Sequence, residues 1–236
     1  MLSPLFNFSA AEISALMLSI KVAIFCTLLL AIPGVVIAWL LARKTFFGKS
    51  FVDALVHLPL VLPPVVPGFL LLLLLGNQGP IGAWLNETFG VSIAFTWQGA
   101  VIASAVMAFP LMVRPIRLAI SDVDQGLEIA AQSLGANPIK TFFTVTLPLT
   151  IPGVITGLIL AFSRSLGEFG ATITFVGNIE GETRTLPLAI YTYIQMPGGD
   201  LPAWRLVVLS VVIALAALMV SEMLERKARK RINGRD

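Results

Sequence analysis

The stretch Val22-Ala23-Ile24-Phe25-Cys26-Thr27-Leu28-Leu29-Leu30-Ala31-Ile32-Pro33-Gly34-Val35-Val36-Ile37-Ala38-Trp39-Leu40-Leu41 contains no charge. Its length matches the roughly 20 residues that a helix needs to cross the apolar core of a bilayer. Extended back to Ser14 it takes in a single charge, Lys21. Four more apolar blocks follow, and together they predict an all-α polytopic membrane protein with about five spans: Ser14–Leu41, Ala54–Leu75, Ile93–Val113, Leu149–Val176 and Trp204–Leu224. Composition agrees, because the chain is 57% hydrophobic and 12% charged, where a soluble domain averages about 25% charged. Residues 1–236 read as one membrane domain without a separate soluble one. A basic n-region is absent and the first apolar block exceeds a signal h-region, so no cleaved leader is expected. The single cysteine, Cys26, lies inside an apolar run, which argues against disulfides and thiolate metal sites and reads as a small buried apolar residue.

Loop charges predict the orientation. Segment 42–50 carries Arg43, Lys44 and Lys49, and segment 114–148 carries Arg114, Arg117 and Lys140. The last fifteen residues, 222–236, hold six basic and three acidic residues, and the rest of the chain holds ten of each, so the net charge of +3 arises in the tail. By contrast, 1–13 and 76–92 have no basic residue, and 177–203 has Arg184 against Glu180, Glu182 and Asp200. The positive-inside bias places the N-terminus outside and the C-terminus in the cytoplasm. A basic tail beside a span suits anionic lipid rather than nucleic acid.

Two apolar runs depart from a plain span. His57-Leu-Pro-Leu-Val-Leu-Pro-Pro-Val-Val-Pro-Gly68 holds four prolines, each of which removes a backbone donor and crowds the preceding turn. Such breaks are tolerated at membrane depth where protein or water satisfies the backbone, so this run predicts either a bent helix near a translocation path or a kinked packing helix. Thr185 to Gln195 is too short to span and is expected to form a short helix in the outer loop, dipping toward a pore. No internal repeat is apparent, which disfavours an inverted-repeat carrier.

Between the third and fourth spans lies Glu128-Ile129-Ala130-Ala131-Gln132-Ser133-Leu134-Gly135, followed by Val145-Thr146-Leu147-Pro148. A helix is expected to start near Ser121-Asp122, which can cap it. Leu127, Ala130, Ala131 and Leu134 recur at helical spacing as one apolar stripe. Gly135 suits a left-handed helix end. Asn137-Pro138 supplies a cap and a first-turn proline for a second helix that carries Phe142 and Phe143 and ends before Pro148. A helix–turn–helix knob with an apolar face fits helix-in-groove recognition; the alternative is a helix folded back onto its own bundle.

The insert resembles the EAA loop of bacterial ABC-importer permeases: Glu-Ala-Ala, three residues, Gly, nine residues, Ile, any residue, Leu-Pro. Ala130, Ala131, Gly135, Leu147 and Pro148 fall in register, with Val145 at the isoleucine position. The acidic residue departs from the pattern. Ile129 occupies the glutamate position and Glu128 lies one residue earlier, a turn of ~100° around a helix, so Glu128 is not expected to make the usual polar contact. The resemblance implies that Glu128, Ala130, Ala131, Leu134, Gly135, Leu147 and Pro148 couple this chain to a groove on a separate ATPase.

The fourth span contains Arg164-Ser-Leu-Gly-Glu168-Phe-Gly-Ala-Thr172. Charges at membrane depth are expensive and face protein or water. Spaced i, i+4, i+8, Arg164, Glu168 and Thr172 are expected to share one helix face, with Gly167 and Gly170 allowing close contact or a local break. They read either as a translocation path or gate, in which Arg164 meets an anion, or as an ion pair that fixes packing. This run, Thr174-Phe-Val-Gly-Asn178, Thr183-Arg-Thr-Leu-Pro-Leu-Ala-Ile-Tyr191 and the proline-rich run from His57 resemble the permeases of bacterial molybdate importers over nearly the whole chain. The resemblance implies a type I ABC-importer permease fold and alternating access. It further implies an assembly of two copies of this chain, two cytoplasmic ATPase subunits and an extracytoplasmic molybdate-binding protein. ATP and magnesium would sit on the ATPase, with no cofactor or metal in this chain. Sulfate and thiosulfate permeases share related motifs, so sulfate, thiosulfate or tungstate stands as the alternative cargo. A stand-alone channel or proton-coupled carrier using Arg164 and Glu168 is the alternative of another class.

Other motifs are excluded by their context. Gly48-Lys49-Ser50 would end a phosphate-binding loop only with glycine at position 43, which is Arg43. His57 is the single histidine, which makes a histidine zinc site or a Ser-His-Asp triad hard to build, and it is expected at a membrane interface. Lys21 is expected to snorkel to headgroups, and Trp39, Trp84, Trp97 and Trp204 to anchor span ends.

Overall fold

The first helix begins with a reciprocal cap: Ser9 accepts from the Glu12 amide at 3.3 Å, and the Ser9 amide donates to Glu12 Oε2 at 2.6 Å. In the computed structural model, which describes residues 8–233, this helix is α1, Ala10–Arg43. The proline-rich run splits the next span into α2, Lys49–Val61, and α3, Val65–Leu75, bent by 113°. Helix α4, Pro80–Phe89, was not expected; it starts on a first-turn proline and ends on left-handed Gly90. There follow α5, Trp97–Ser121; α6, Gln125–Ser133; α7, Pro138–Thr141; α8, Leu147–Leu166; α9, Gly170–Val176; α10, Leu186–Gln195; and α11, Asp200–Asn233. No strand occurs among the described residues. Among the described residues four helical stretches are long and apolar enough to cross a membrane, and the bent α2–α3 pair makes five if it counts as one span.

Helix α5 is the central post. Ala100, Ala103, Ala108, Met112, Val113, Ile116 and Ile120 are all buried in it, and α1 and α8 pack against its sides. Its small residues let the helices approach closely, which is how spans associate where no hydrophobic drive separates protein from lipid. Beyond the bend, α3 packs on α9. A β-carbon on Gly68 would lie 2.6 Å from the Ala171 carbonyl oxygen, and one on Gly170 would lie 2.5 Å from Pro64 Cβ. The expected close contact at Gly170 is therefore made, and the proline-rich bend is what it touches.

Several boundaries depart from expectation. The third span runs eight residues past Val113, so Arg114 and Arg117 are helical and the insert between the third and fourth spans starts at Asp122 rather than at 114. The expected fourth span, 149–176, is two helices broken between Leu166 and Gly170. The expected fifth span, 204–224, is part of a longer helix that carries the tail to Asn233; the tail's last residues, 234–236, lie outside the described residues, as do residues 1–7. The short helix expected between the fourth and fifth spans is present as α10, and it packs on α1 and α11 through Leu186, Ala189, Ala15 and Leu206. There the Arg205 guanidinium grips Glu12, which is 1% exposed, through two bonds of 3.0 Å. Lys21 lies 3.5 Å over the Trp97 ring, a cation–π contact.

Candidate functional site

Asp124, not Ser121 or Asp122, caps α6, accepting from the Gly126 amide at 2.8 Å. Ser121 instead closes α5, its hydroxyl donating to the Arg117 carbonyl at 2.9 Å. The far end of α6 closes as the sequence suggests. Gly135 has φ +89°, its amide donates to Gln132 at 2.9 Å, and the Ala136 amide donates to Ala131 at 3.1 Å. This pair of bonds is the Schellman arrangement. Asn137 then accepts from the Lys140 amide at 2.8 Å, with Pro138 in the first turn of α7.

The second helix does not end before Pro148. Residues Phe142–Thr146 form a π turn that runs straight into α8. Pro148 has no N–H for a normal helical bond and its ring crowds the preceding turn. The wider turn absorbs this, with the Leu147 amide reaching back five residues to the Phe142 carbonyl. Phe142 meets the Trp39 ring edge-on at 6.0 Å, which ties this turn to α1.

No residue of α6 is buried. Leu127, Ala130 and Leu134 face solvent, Leu134 at 90% exposure, and Ile129 is exposed beside them. The predicted stripe is split, because Ala131 lies ~100° from Ala130 and turns partly inward with Glu128. Glu128 Oε1 accepts from Thr146 Oγ1 at 2.6 Å and from Arg43 Nε and Nη2 at 3.3 and 3.2 Å. Arg43 Nη2 also donates to the Val123 carbonyl at 2.8 Å. The one-residue shift thus aims the carboxylate at the chain's own framework, joining α6 to the end of α1 and the start of α8. Leu147 is half-buried and Pro148 exposed at the root of the knob. Arg43 and Thr146 were not anticipated. Arg43 is 85 residues from Glu128 in sequence and had registered only as a loop charge.

The second predicted group is brought together differently from expectation. Arg164, Glu168 and Thr172 do not share one continuous helix face, because α8 ends at Leu166 and Phe169 leaves helical geometry (φ −131°, ψ −52°). Arg164 Nη1 still lies 2.8 Å from Glu168 Oε2, with Arg164 26% and Glu168 1% exposed. The other carboxylate oxygen accepts from the Ala171 amide at 2.7 Å, which starts α9. Thr172 is fully buried and donates to the Phe169 carbonyl at 2.9 Å. Glu168 and Thr172 therefore hold a broken helix together, and Arg164 keeps the only open side of the group. The Phe169 ring lies 5.1 Å from that of Tyr191 of α10, tilted by 55°.

A family model described as binding-protein-dependent transport system inner membrane component matches residues 34–230. The molybdenum transport system permease protein ModB of Escherichia coli strain K12 is 56% identical over 220 residues, covering 93% of this chain and 96% of that protein. The ModB of Haemophilus influenzae is 53% identical over 222 residues, covering 94% and 96%. The crystal structure of a bacterial ABC transporter that imports the acidic polysaccharide alginate superposes with a TM-score of 0.74 over 93% of this chain and 80% of that one. At 18% identity, that likeness speaks for the fold alone.

Proposed function

Since the chain belongs to the family of inner membrane components of binding-protein-dependent transport systems, we propose that it is the permease subunit of an ATP-driven importer that carries molybdate across the inner membrane. The observation that carries the coupling half of this reading is the exposed knob: an apolar helix face with no internal cover, closed by Gly135 and bolted from behind by Glu128. The near full-length identity to two permeases named for molybdenum supports the cargo. The chain performs no chemistry. ATP and magnesium act on a separate ATPase dimer, and this chain needs no cofactor of its own.

In this reading two copies of the chain pair in the membrane, the N-terminus lies outside, and the C-terminus and knob lie in the cytoplasm beside Arg43, Lys44 and Lys49. A molybdate-binding protein delivers the oxyanion from outside, and anionic lipid surrounds the basic ends. Closure of the ATPases moves α6. The Glu128 contacts pass that motion to α1 and α8, and α8 passes it through the Glu168 break to α9 and the α3 bend. Alternating access follows from rearranging those broken spans.

Intracellular molybdenum in a deletion strain, with and without this chain, at limiting molybdate and with excess sulfate, tests the cargo. Molybdenum is expected to be lost on deletion, restored by the chain and unaffected by sulfate. Unchanged molybdenum with a growth requirement for reduced sulfur would reassign the cargo to sulfate. Gly135→Val tests the knob. Nothing lies within 4 Å of a β-carbon there, so the substitution acts through the left-handed backbone alone, at about 1–2 kcal/mol. The expected result is ATP hydrolysis that persists while uptake falls; coupled uptake at the normal rate would refute docking through this turn.

A further inference from the structure

Arg43, Arg117, Arg164, Arg184 and Arg205 each pair with a carboxylate. Arg114 is different. It is exposed on α5, and its side chain makes no ion pair or hydrogen bond among the described residues. It lines a cavity of about 500 Å³ between α2 and α5, together with Asp53, His57, Arg117, Leu118 and Ser121. Arg114, Arg117, Leu118 and Ser121 recur at i, i+3, i+4 and i+7, so one face of α5 forms one wall. Asp53 and His57, one turn apart on α2, form the other. Asp53 opposes an anion, but Arg117 holds it at 2.6 Å and the His57 Nδ1 lies 3.4 Å from the same carboxylate. One full positive charge, that of Arg114, is left facing an open cavity.

We propose that this cavity binds a tetrahedral oxyanion of the phosphate class, with Arg114 as its principal ligand. A guanidinium presents a planar fork of donors that suits such oxygens, and an uncompensated arginine is stabilised by gaining them. The cavity lies at the end of α5 that leads into the knob, where the phosphodiester of an anionic phospholipid is available at the membrane surface. A free oxyanion from solution carries the same chemistry. The volume, against roughly 30 Å³ for one water, has room for a phosphate with its ester substituents. The site does not depend on which cargo the permease carries.

The test uses the intact permease–ATPase complex. It is reconstituted into phosphatidylcholine discs containing a minor fraction of phosphatidylglycerol, and the lipid retained after mild extraction is counted by native mass spectrometry. In a second arm, inorganic phosphate binding is measured on delipidated complex by equilibrium dialysis. Arg114→Gln is expected to weaken retention or binding about tenfold, the effect of losing one charge-assisted contact, and Arg114→Lys to weaken it less. In the dialysis arm, Lys49→Gln, which removes a charge at the same end of the fold outside the cavity, is expected to match the unaltered complex. Loss confined to the lipid arm identifies a headgroup site, and loss in the dialysis arm identifies a free-oxyanion site. Equal behaviour of Arg114→Gln and the unaltered complex in both arms overturns the proposal. If Arg114→Gln assembles poorly, titrating phosphate against the melting temperature of the unaltered complex decides instead, because a ligand bound to the folded state raises it; no rise, together with no selective lipid retention, overturns the proposal.

Discussion

Arg164→Gln is expected to destabilise the permease by about 3 kcal/mol, the lower end of the range for removing one partner of a buried ion pair. Glu168 is 1% exposed and sits in the break two residues past a helical stretch long and apolar enough to cross a membrane. Without the arginine its Oε2 keeps a charge with nothing to compensate it, while Oε1 remains committed to the Ala171 amide. The lower end of the range applies because Arg164 is itself 26% exposed, so water already shares part of its charge. The reverse change is milder. Glu168→Gln keeps an oxygen for the Ala171 amide and leaves Arg164 on the open side, where it can be solvated. The combined variant removes both charges and is expected to recover most of the lost stability. Thermal melting of the purified transporter, with uptake measured in parallel, reads the order directly. A single Arg164→Gln variant that melts and transports normally would show the pair to be idle. If the combined variant regains its melting temperature but not its uptake, Arg164 serves the translocation path as well as packing.

This pair marks the limit of what local sequence could give. The i, i+4 spacing of Arg164 and Glu168 anticipates their contact, but periodicity assumed a continuous helix, and the run Gly167-Glu168-Phe169 breaks it. Glycine and a carboxylate able to cap the next helix were both visible; that the cap would outcompete continuation depends on Pro64 and Gly68 packing from another segment. At the knob, Gly135 and Asn137-Pro138 were legible because their roles are set by their own backbone. The π turn was not, since a proline locally signals the end of a helix, whereas a helix continuing from a packed root can widen instead of stopping. Arg43 was least legible of all. A basic residue at the end of an apolar block reads as a topology signal, and nothing within a window around it reveals a partner 85 residues away.

Arg43→Lys is expected to cut uptake about tenfold while leaving most ATP hydrolysis intact. The guanidinium reaches two acceptors at once, Glu128 Oε1 through Nε and Nη2, and the Val123 carbonyl through Nη2. An ammonium retains the charge but lacks the fork, so one of the two connections from α1 to the knob is lost. Each such bond to a charged group contributes about 1.5–3 kcal/mol, enough to let α6 move without carrying α1 along. The Thr146 bond at 2.6 Å still attaches Glu128 to the start of α8, which is why coupling falls rather than vanishes. Glu128→Gln weakens the connections to both helices, since it leaves a neutral acceptor for Arg43 and Thr146, and is expected to be at least as severe. Because the two residues act through one contact, Arg43→Lys with Glu128→Gln is expected to be little worse than the more severe single variant, a non-additivity that a double-mutant cycle measures. Tight coupling in both single variants, with ATP hydrolysed and cargo moved in the normal ratio, would mean that the stroke reaches the membrane through α7, the π turn and α8 alone. Additive losses would mean that Arg43 and Glu128 serve the knob separately, Arg43 by holding Val123 and Glu128 by holding Thr146.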